Sequence, residues 1–130
     1  MAKVLEGPGM ALMAKWGVPV PRYVVLDRGE KLADQAAAHP WLKETKLVVK
    51  AHEAVGSRMK LGLVKVDLDF KGAEKAAQEI LGKTVGQLTV AQVIVSEMVP
   101  HDAEYYAAVR GNFIAVEGEV KAGGVYQAQP

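Results

Sequence analysis

The residues best suited to chemistry in this chain are charged, and they are bunched. Between Lys43 and Lys65 stand six cations (Lys43, Lys46, Lys50, Arg58, Lys60, Lys65) and two acids (Glu44, Glu53), a local balance of +4. From Glu97 to Glu119 there are five acids (Glu97, Asp102, Glu104, Glu117, Glu119) and one cation, Arg110, a balance of −4. Two such zones suit a ligand with a phosphate end and a polyhydroxyl end. Lys50 closes the apolar run Leu47-Val48-Val49. An ammonium at a sheet end either sits solvated or neutralises phosphate oxygens as a point charge. In Ala54–Gly62, small residues let backbone N–H groups approach an anion, and Arg58 and Lys60 add charge; the same residues also suit an ordinary hairpin turn. In Val95-Ser96-Glu97-Met98-Val99-Pro100 a strand meets a proline, which leaves backbone N–H and C=O groups free to read the edge of a base. Glu104, just beyond, either accepts hydrogen bonds from ribose hydroxyls or is a solvated acid.

The histidines carry less. His39 precedes a proline, His101 follows one, and His52 lies near the cationic loop without a second ligand at metal-binding spacing. No order of Ser, His and Asp suggests nucleophilic catalysis.

The elements that must position these groups can be read from periodicity. Residues 8–16 suit a helix opened by Pro8 and ended by Gly17, and Val18-Pro19-Val20-Pro21 an extended connector. Tyr23–Leu26 predicts a strand, residues 30–38 a helix burying Leu32, Ala33, Ala36 and Ala37, and Leu47–Ala51 a central strand. Gly62–Leu68 predicts a strand with Val64, Val66 and Leu68 on one face. Residues 70–81 make the clearest helix, with Asp69 as N-cap and Gly82 as C′ residue. Val93–Val95 and Tyr105–Val109 predict further strands, and 118–130 a loop. Trp16 and Trp41 flank helix ends, where they are expected to pack against the core or a partner. The order implies a layered α/β (α+β) chain with a mixed sheet and flanking helices. It lacks the uniform alternation and glycine fingerprint of a dinucleotide-binding domain, and it lacks a P-loop.

Composition narrows the class further. The 130 residues, half of them hydrophobic, suit one core; a net charge of +1 argues against binding nucleic acid mainly through its phosphates. With no cysteine there is no disulfide framework, thiolate zinc site or cysteine nucleophile. No stretch is apolar enough for a membrane span, and Met1–Gly7 does not read as a signal peptide, so a cytoplasmic chain is expected.

Four segments in order carry a resemblance. They are Gly17-Val18-Pro19-Val20-Pro21, Leu47-Val48-Val49-Lys50-Ala51, Gly56-Ser57-Arg58-Met59-Lys60-Leu61-Gly62-Leu63-Val64, and Val95-Ser96-Glu97 with Glu104-Tyr105-Tyr106. Over residues 1–110 the sequence resembles the N-terminal half of the ATP-grasp subunit of acyl-CoA synthetases of the succinyl-CoA synthetase β type. His39-Pro40-Trp41-Leu42, Lys46–Lys50, Lys60–Val64 and Val99-Pro100-His101 look most like ATP-citrate lyase and citryl-CoA synthetase.

The resemblance implies an ATP-grasp fold in which Lys50 contacts the ATP phosphates. It implies that Gly56, Ser57, Arg58 and Lys60 form the phosphate loop, that Ser96, Glu97, Met98 and Val99 form the adenine-reading hinge, and that Glu104 holds the ribose. Ser57 and Met59 replace glycines of the family's usual loop, Ser96 stands where many relatives have an acid, and residues 111–130 match poorly. The implied cofactors are ATP and magnesium, whose ligands have no counterpart in this chain. No histidine here matches the one that is transiently phosphorylated, which belongs to a partner α-type subunit or domain. The implied function is activation of citrate to citryl-CoA, with CoA and a di- or tricarboxylate bound by the complete enzyme. Succinyl-CoA or malyl-CoA synthesis, or a non-catalytic interaction domain, are the alternatives. The length then suggests part of a larger enzyme, inactive alone.

Overall fold

The computed structural model describes residues 4–54, 58–110, 113–121 and 124–125, with side chains described as far as Tyr105. The chain divides into two compact units, Met1–Met98 and Val99–Pro130.

The first unit opens with α1 (Glu6–Lys15). Glu6 in its first turn and Lys15 in its last complement the helix dipole. Pro8 sits two residues further into the helix than expected, still in the first turn, where its missing N–H has no intrahelical acceptor to lose. Gly17 ends the helix at φ +82°, and the Gly17 and Val18 N–H groups bond back to the Ala14 and Met13 carbonyls. A Cβ would oppose that left-handed conformation, so glycine closes the turn.

The strands β1 (Tyr23–Asp27), β2 (Leu47–Ala51), β3 (Val64–Leu68) and, later in the chain, β6 (Gln92–Glu97) form one sheet in the order β1-β6-β2-β3. Every ladder in it is antiparallel, which corrects the expected mixed sheet. The cause is the insertion of β6 between β1 and β2: those two run the same way but never touch. The hydrophobic core lies on one face. There Val24, Leu26, Leu47, Val49, Ala51, Val93 and Val95 join Ala73, Ala76, Ala77 and Ile80 of α3 (Phe70–Ile80). The helix starts as expected, the Asp69 carboxylate accepting from the Gly72 N–H at 2.7 Å.

Strand alternation places Val48 and Lys50 on the opposite face, in register with Ser96 and Ile94 of β6. α1 packs beside β1, with Gly7 and Met10 buried.

Several local expectations are revised. Against Val48, β3 carries two residues, Val66 and Asp67, and Asp67 adopts φ +55°. This bulge resets the alternation, so the three do not share a face: Val64 pairs with Lys50 on the side away from the core, Leu68 with Leu47 on the core side, and Val66 is exposed. The helix expected over 30–38 shrinks to α2 (Leu32–Gln35), because only Leu32 is fully buried and alanines bury little. Pro40–Lys43 forms a 3-10 turn that buries Trp41 and Leu42, while Trp16 is 77% exposed. Two short strands, β4 (Thr84–Val85) and β5 (Leu88–Thr89), pair across Gly86.

The second unit is an antiparallel sheet of β7 (Glu104–Arg110), β8 (Phe113–Lys121) and β9 (Gly124–Val125). The loop expected from 118 onward is therefore strand to Lys121, with a short return at Gly124–Val125. The register shift beside Tyr106/Ala107 leaves Glu117 without a ladder partner, between Val116 and Gly118. That irregularity, next to a glycine, interrupts the alternation by which a strand is recognised.

Candidate functional site

Lys50 lies near the end of β2, on the face away from the core. Its ammonium pairs with Oε1 of Glu6, from the first turn of α1. The other oxygen, Oε2, accepts from Arg58 Nη1 at 3.2 Å, and the same nitrogen donates to the Ala51 carbonyl at 2.9 Å. Two cations eight residues apart thus converge on one carboxylate. Burial raises the pKa of Glu6, but the hydrogen bonds and charges of Lys50 and Arg58 outweigh it, and the carboxyl is held below its ordinary range. The three side chains are 21–27% exposed, so solvent reaches the cluster.

The first turn of α1 is seated by further bonds. Leu5, at the N-cap, has no side-chain acceptor, and the Gly7 N–H donates instead to Nε2 of buried His52 at 2.9 Å. With Nε2 accepting, Nδ1 carries the proton and donates to Gln92 Oε1 at 3.1 Å; Gln92 Nε2 donates to Asp27 at 2.6 Å. The Tyr23 hydroxyl donates to the Gly7 carbonyl at 2.9 Å. Three elements therefore locate the helix end that carries Glu6.

Of the expected phosphate loop, Gly56 and Ser57 lie outside the described residues. Leu63 N–H bonds to the Arg58 carbonyl and Ala51 N–H to the Leu63 carbonyl, which returns the loop to β2 and places Arg58 beside Lys50. Lys60 is exposed and joins none of the ion pairs among the described residues.

At the expected hinge, Ser96 is buried and Met98 and Val99 are exposed. The Glu97 N–H donates to the Arg22 carbonyl and the Met98 N–H to the Lys46 carbonyl, so these two donors are engaged rather than free. Glu97 is gripped by Arg22: the backbone N–H donates at 3.2 Å, Nε at 2.8 Å, and Nη2 lies at 2.7 Å. Burial again raises the carboxyl pKa, and the Arg22 bonds again bring it below its ordinary range. The guanidinium stands 5.4 Å from the Trp41 ring centroid. Beside it is an open cleft of about 420 Å³ lined by Val20, Pro21, Arg22, Tyr23, His39 and Trp41. Glu97 pairs with Leu47, so the hinge and Lys50 lie about 10 Å apart along β2.

In the second unit, Glu104 Oε1 lies 2.7 Å from His101 Nε2, and His101 Nδ1 lies 3.0 Å from the Val99 carbonyl. Both ring nitrogens face acceptors. The Val99 carbonyl foremost, then Glu104, therefore favour the doubly protonated ring and raise the His101 pKa.

Sequence reasoning missed Glu6 and Arg22. Each has one visible signal: Glu6 is an acid at a helix start, and Arg22 is a cation immediately before a strand. Their partners lie 44 and 75 residues away. Among the described residues, no group of three His, Asp or Glu side chains could hold a metal ion. The Lys50–Arg58 pair does fit a phosphate group, since it offers partly exposed donors already converged on an anion.

These features define an α/β chain in which two cations converge on one carboxylate at a sheet end. Residues 3–111 match the family described as an ATP-grasp domain, and the chain belongs to that family. The β subunit of the ADP-forming succinate–CoA ligase of Bacteroides thetaiotaomicron is 32% identical over 82% of this chain and 27% of its own. ATP-citrate synthase alpha chain protein 1 of Arabidopsis thaliana is 38% identical over 68% of this chain and 22% of its own. Among solved structures, a Methanosaeta concilii ATP citrate lyase variant in complex with (3S)-citryl-CoA matches 89% of this chain and 30% of that one, at TM-score 0.69 and 26% identity. That of Methanothrix soehngenii, in complex with citrate and coenzyme A, matches 65% and 21%, at TM-score 0.57 and 32% identity. The chain spans roughly a quarter of the length of the curated relatives it matches.

Proposed function

We propose that this chain is the nucleotide-binding part of an ATP-dependent CoA ligase that activates a carboxylic acid. The carrying observation is the convergence of Lys50 and Arg58 on one carboxylate, an arrangement of donors suited to phosphate oxygens. In this reading Lys50 and Arg58 neutralise the ATP phosphates, and Gly56, Ser57 and Lys60 complete the loop. Ser96–Val99 border the base, with contacts from groups other than the engaged Glu97 and Met98 N–H donors, and Glu104 accepts from the ribose.

ATP supplies the phosphoryl group; the residues of this chain position it and screen its charge. Magnesium would be held elsewhere, because the described acids form no ligand cluster. The phosphorylated histidine is assigned to an α-type subunit or domain, and citrate, yielding citryl-CoA, is the preferred substrate. That preference draws support from the citrate-lyase relatives. Succinate is the second reading, favoured by the succinate–CoA ligase β subunit that aligns with 82% of the chain.

In the complete enzyme assembled with its partner, Lys50→Ala should lower ATP-dependent acyl-CoA formation by about 100-fold. Supplying citrate and succinate separately identifies the acid. Unchanged ATP dependence would overturn the reading.

A further inference from the structure

Glu6 raises a question that the phosphate reading leaves open: why a carboxylate sits on the two cations meant for phosphate. We propose that Glu6 is a built-in rival of the nucleotide, its carboxylate and the phosphate oxygens competing for Lys50 and Arg58. The inference rests on the proposed phosphate role of those two residues.

The geometry suits exchange. Glu6 gives one oxygen to each cation, Oε1 to Lys50 and Oε2 to Arg58, as two oxygens of a phosphate would. The cluster is a quarter exposed, so an incoming anion can reach it. Release of the carboxylate does not unseat its surroundings. The first turn of α1 keeps the Gly7 bonds to His52 and Tyr23, and Arg58 keeps its bond to the Ala51 carbonyl. Both cations therefore remain in place for the new ligand. The carboxyl is held in its ionised form, so at neutral pH it leaves by moving aside rather than by taking up a proton. A triphosphate, with several charges against one, wins the contest, but at a cost in affinity. Glu6 thus sets a threshold for anions: a singly charged ion gains little by displacing it.

The test is calorimetric titration of the full chain with inorganic tripolyphosphate, comparing wild type, Glu6→Gln and Lys50→Ala. Removing the rival should tighten tripolyphosphate binding about two- to fivefold, the range expected for breaking a partly exposed ion pair. Lys50→Ala should weaken it. If Lys50→Ala weakens binding while Glu6→Gln leaves it unchanged or weaker, Glu6 only organises the cations; the proposal fails and the phosphate site stands. If Lys50→Ala has no effect, the phosphate reading fails and takes this proposal with it. A measurement on the unaltered chain guards against a folding defect in the variants. The 13C carboxyl titration of Glu6 should rise toward the ordinary glutamate range in saturating tripolyphosphate. A titration that stays put would overturn the proposal.

Discussion

Two charged side chains, Glu6 and His101, show how pairing sets what this chain does with pH. Glu6 has a lowered pKa, so its ionised form is favoured in the folded chain. The stability this brings is complete above the unfolded glutamate value of about 4.3 and is lost as the pH falls through the lower folded value. Urea unfolding of wild type and Glu6→Gln should differ by about 1 kcal/mol at pH 7, a difference that closes on acidification below pH 4 or so. A gap constant with pH would show that the carboxylate charge is not the source. His101 behaves with the opposite sign. Its pKa is raised, so its pairing with Glu104 is present at low pH and is lost as the pH rises through the folded value. Proton NMR titration of His101 should therefore move downward in Glu104→Gln, though not fully, because the Val99 carbonyl still favours the charged ring. An unmoved titration would detach Glu104 from His101. The consequence for the proposed ribose acid is direct: deprotonation of His101 releases the carboxylate for another donor.

At the scale of elements, the seat of α1 decides whether Glu6 reaches its partners. Gly7 is the tightest point, since a Cβ there would lie 3.1 Å from His52 Nε2. That ring cannot easily give way, being held at its other nitrogen by Gln92. Replacing glycine in a helix gains at most about 1 kcal/mol, while disturbing a buried hydrogen bond costs about 1–3 kcal/mol. Gly7→Ala should therefore be net destabilising by about 1 kcal/mol, with faster amide exchange confined to the first turn of α1. A stabilised variant would show that His52 adapts. The same element marks the limit of what the sequence discloses. α3, β2 and β6 were legible because their signals are local: an Asp69 cap, a helical apolar repeat, and short runs of β-branched residues. Lys50 and Arg58 were legible as cations in the right segments. Glu6 was not, because its role depends on a 44-residue return of the chain, and neither was the His52 cap on Gly7. The alternation in β3 misled for a different reason, since a single bulge reverses every face beyond it.

At the scale of the whole chain, the division at Met98 falls between the proposed phosphate donors and the proposed ribose acid. Among the described residues, the hydrophobic core cluster runs from Val24 to Val95, and the helix and strands that enclose it belong to the first unit. The proposed phosphate donors and their rival, Lys50, Arg58 and Glu6, also belong to this first unit. The proposed ribose acid, Glu104, belongs to the second. Near-neutral net charge hides this partition, because the +4 zone lies in the first unit and the −4 zone lies almost wholly in the second. A chain cut to residues 1–98 retains a closed core, with α3 on one face of a four-stranded sheet. It should unfold in one cooperative transition and bind tripolyphosphate within about twofold of the full chain, with the same response to Glu6→Gln. ATP and tripolyphosphate then become separable probes: the truncated chain should lose affinity for ATP alone, because only ATP presents a ribose to Glu104. Equal losses for both ligands would mean that the second unit supports the phosphate site itself, and the assignment of phosphate and ribose to two units would fall.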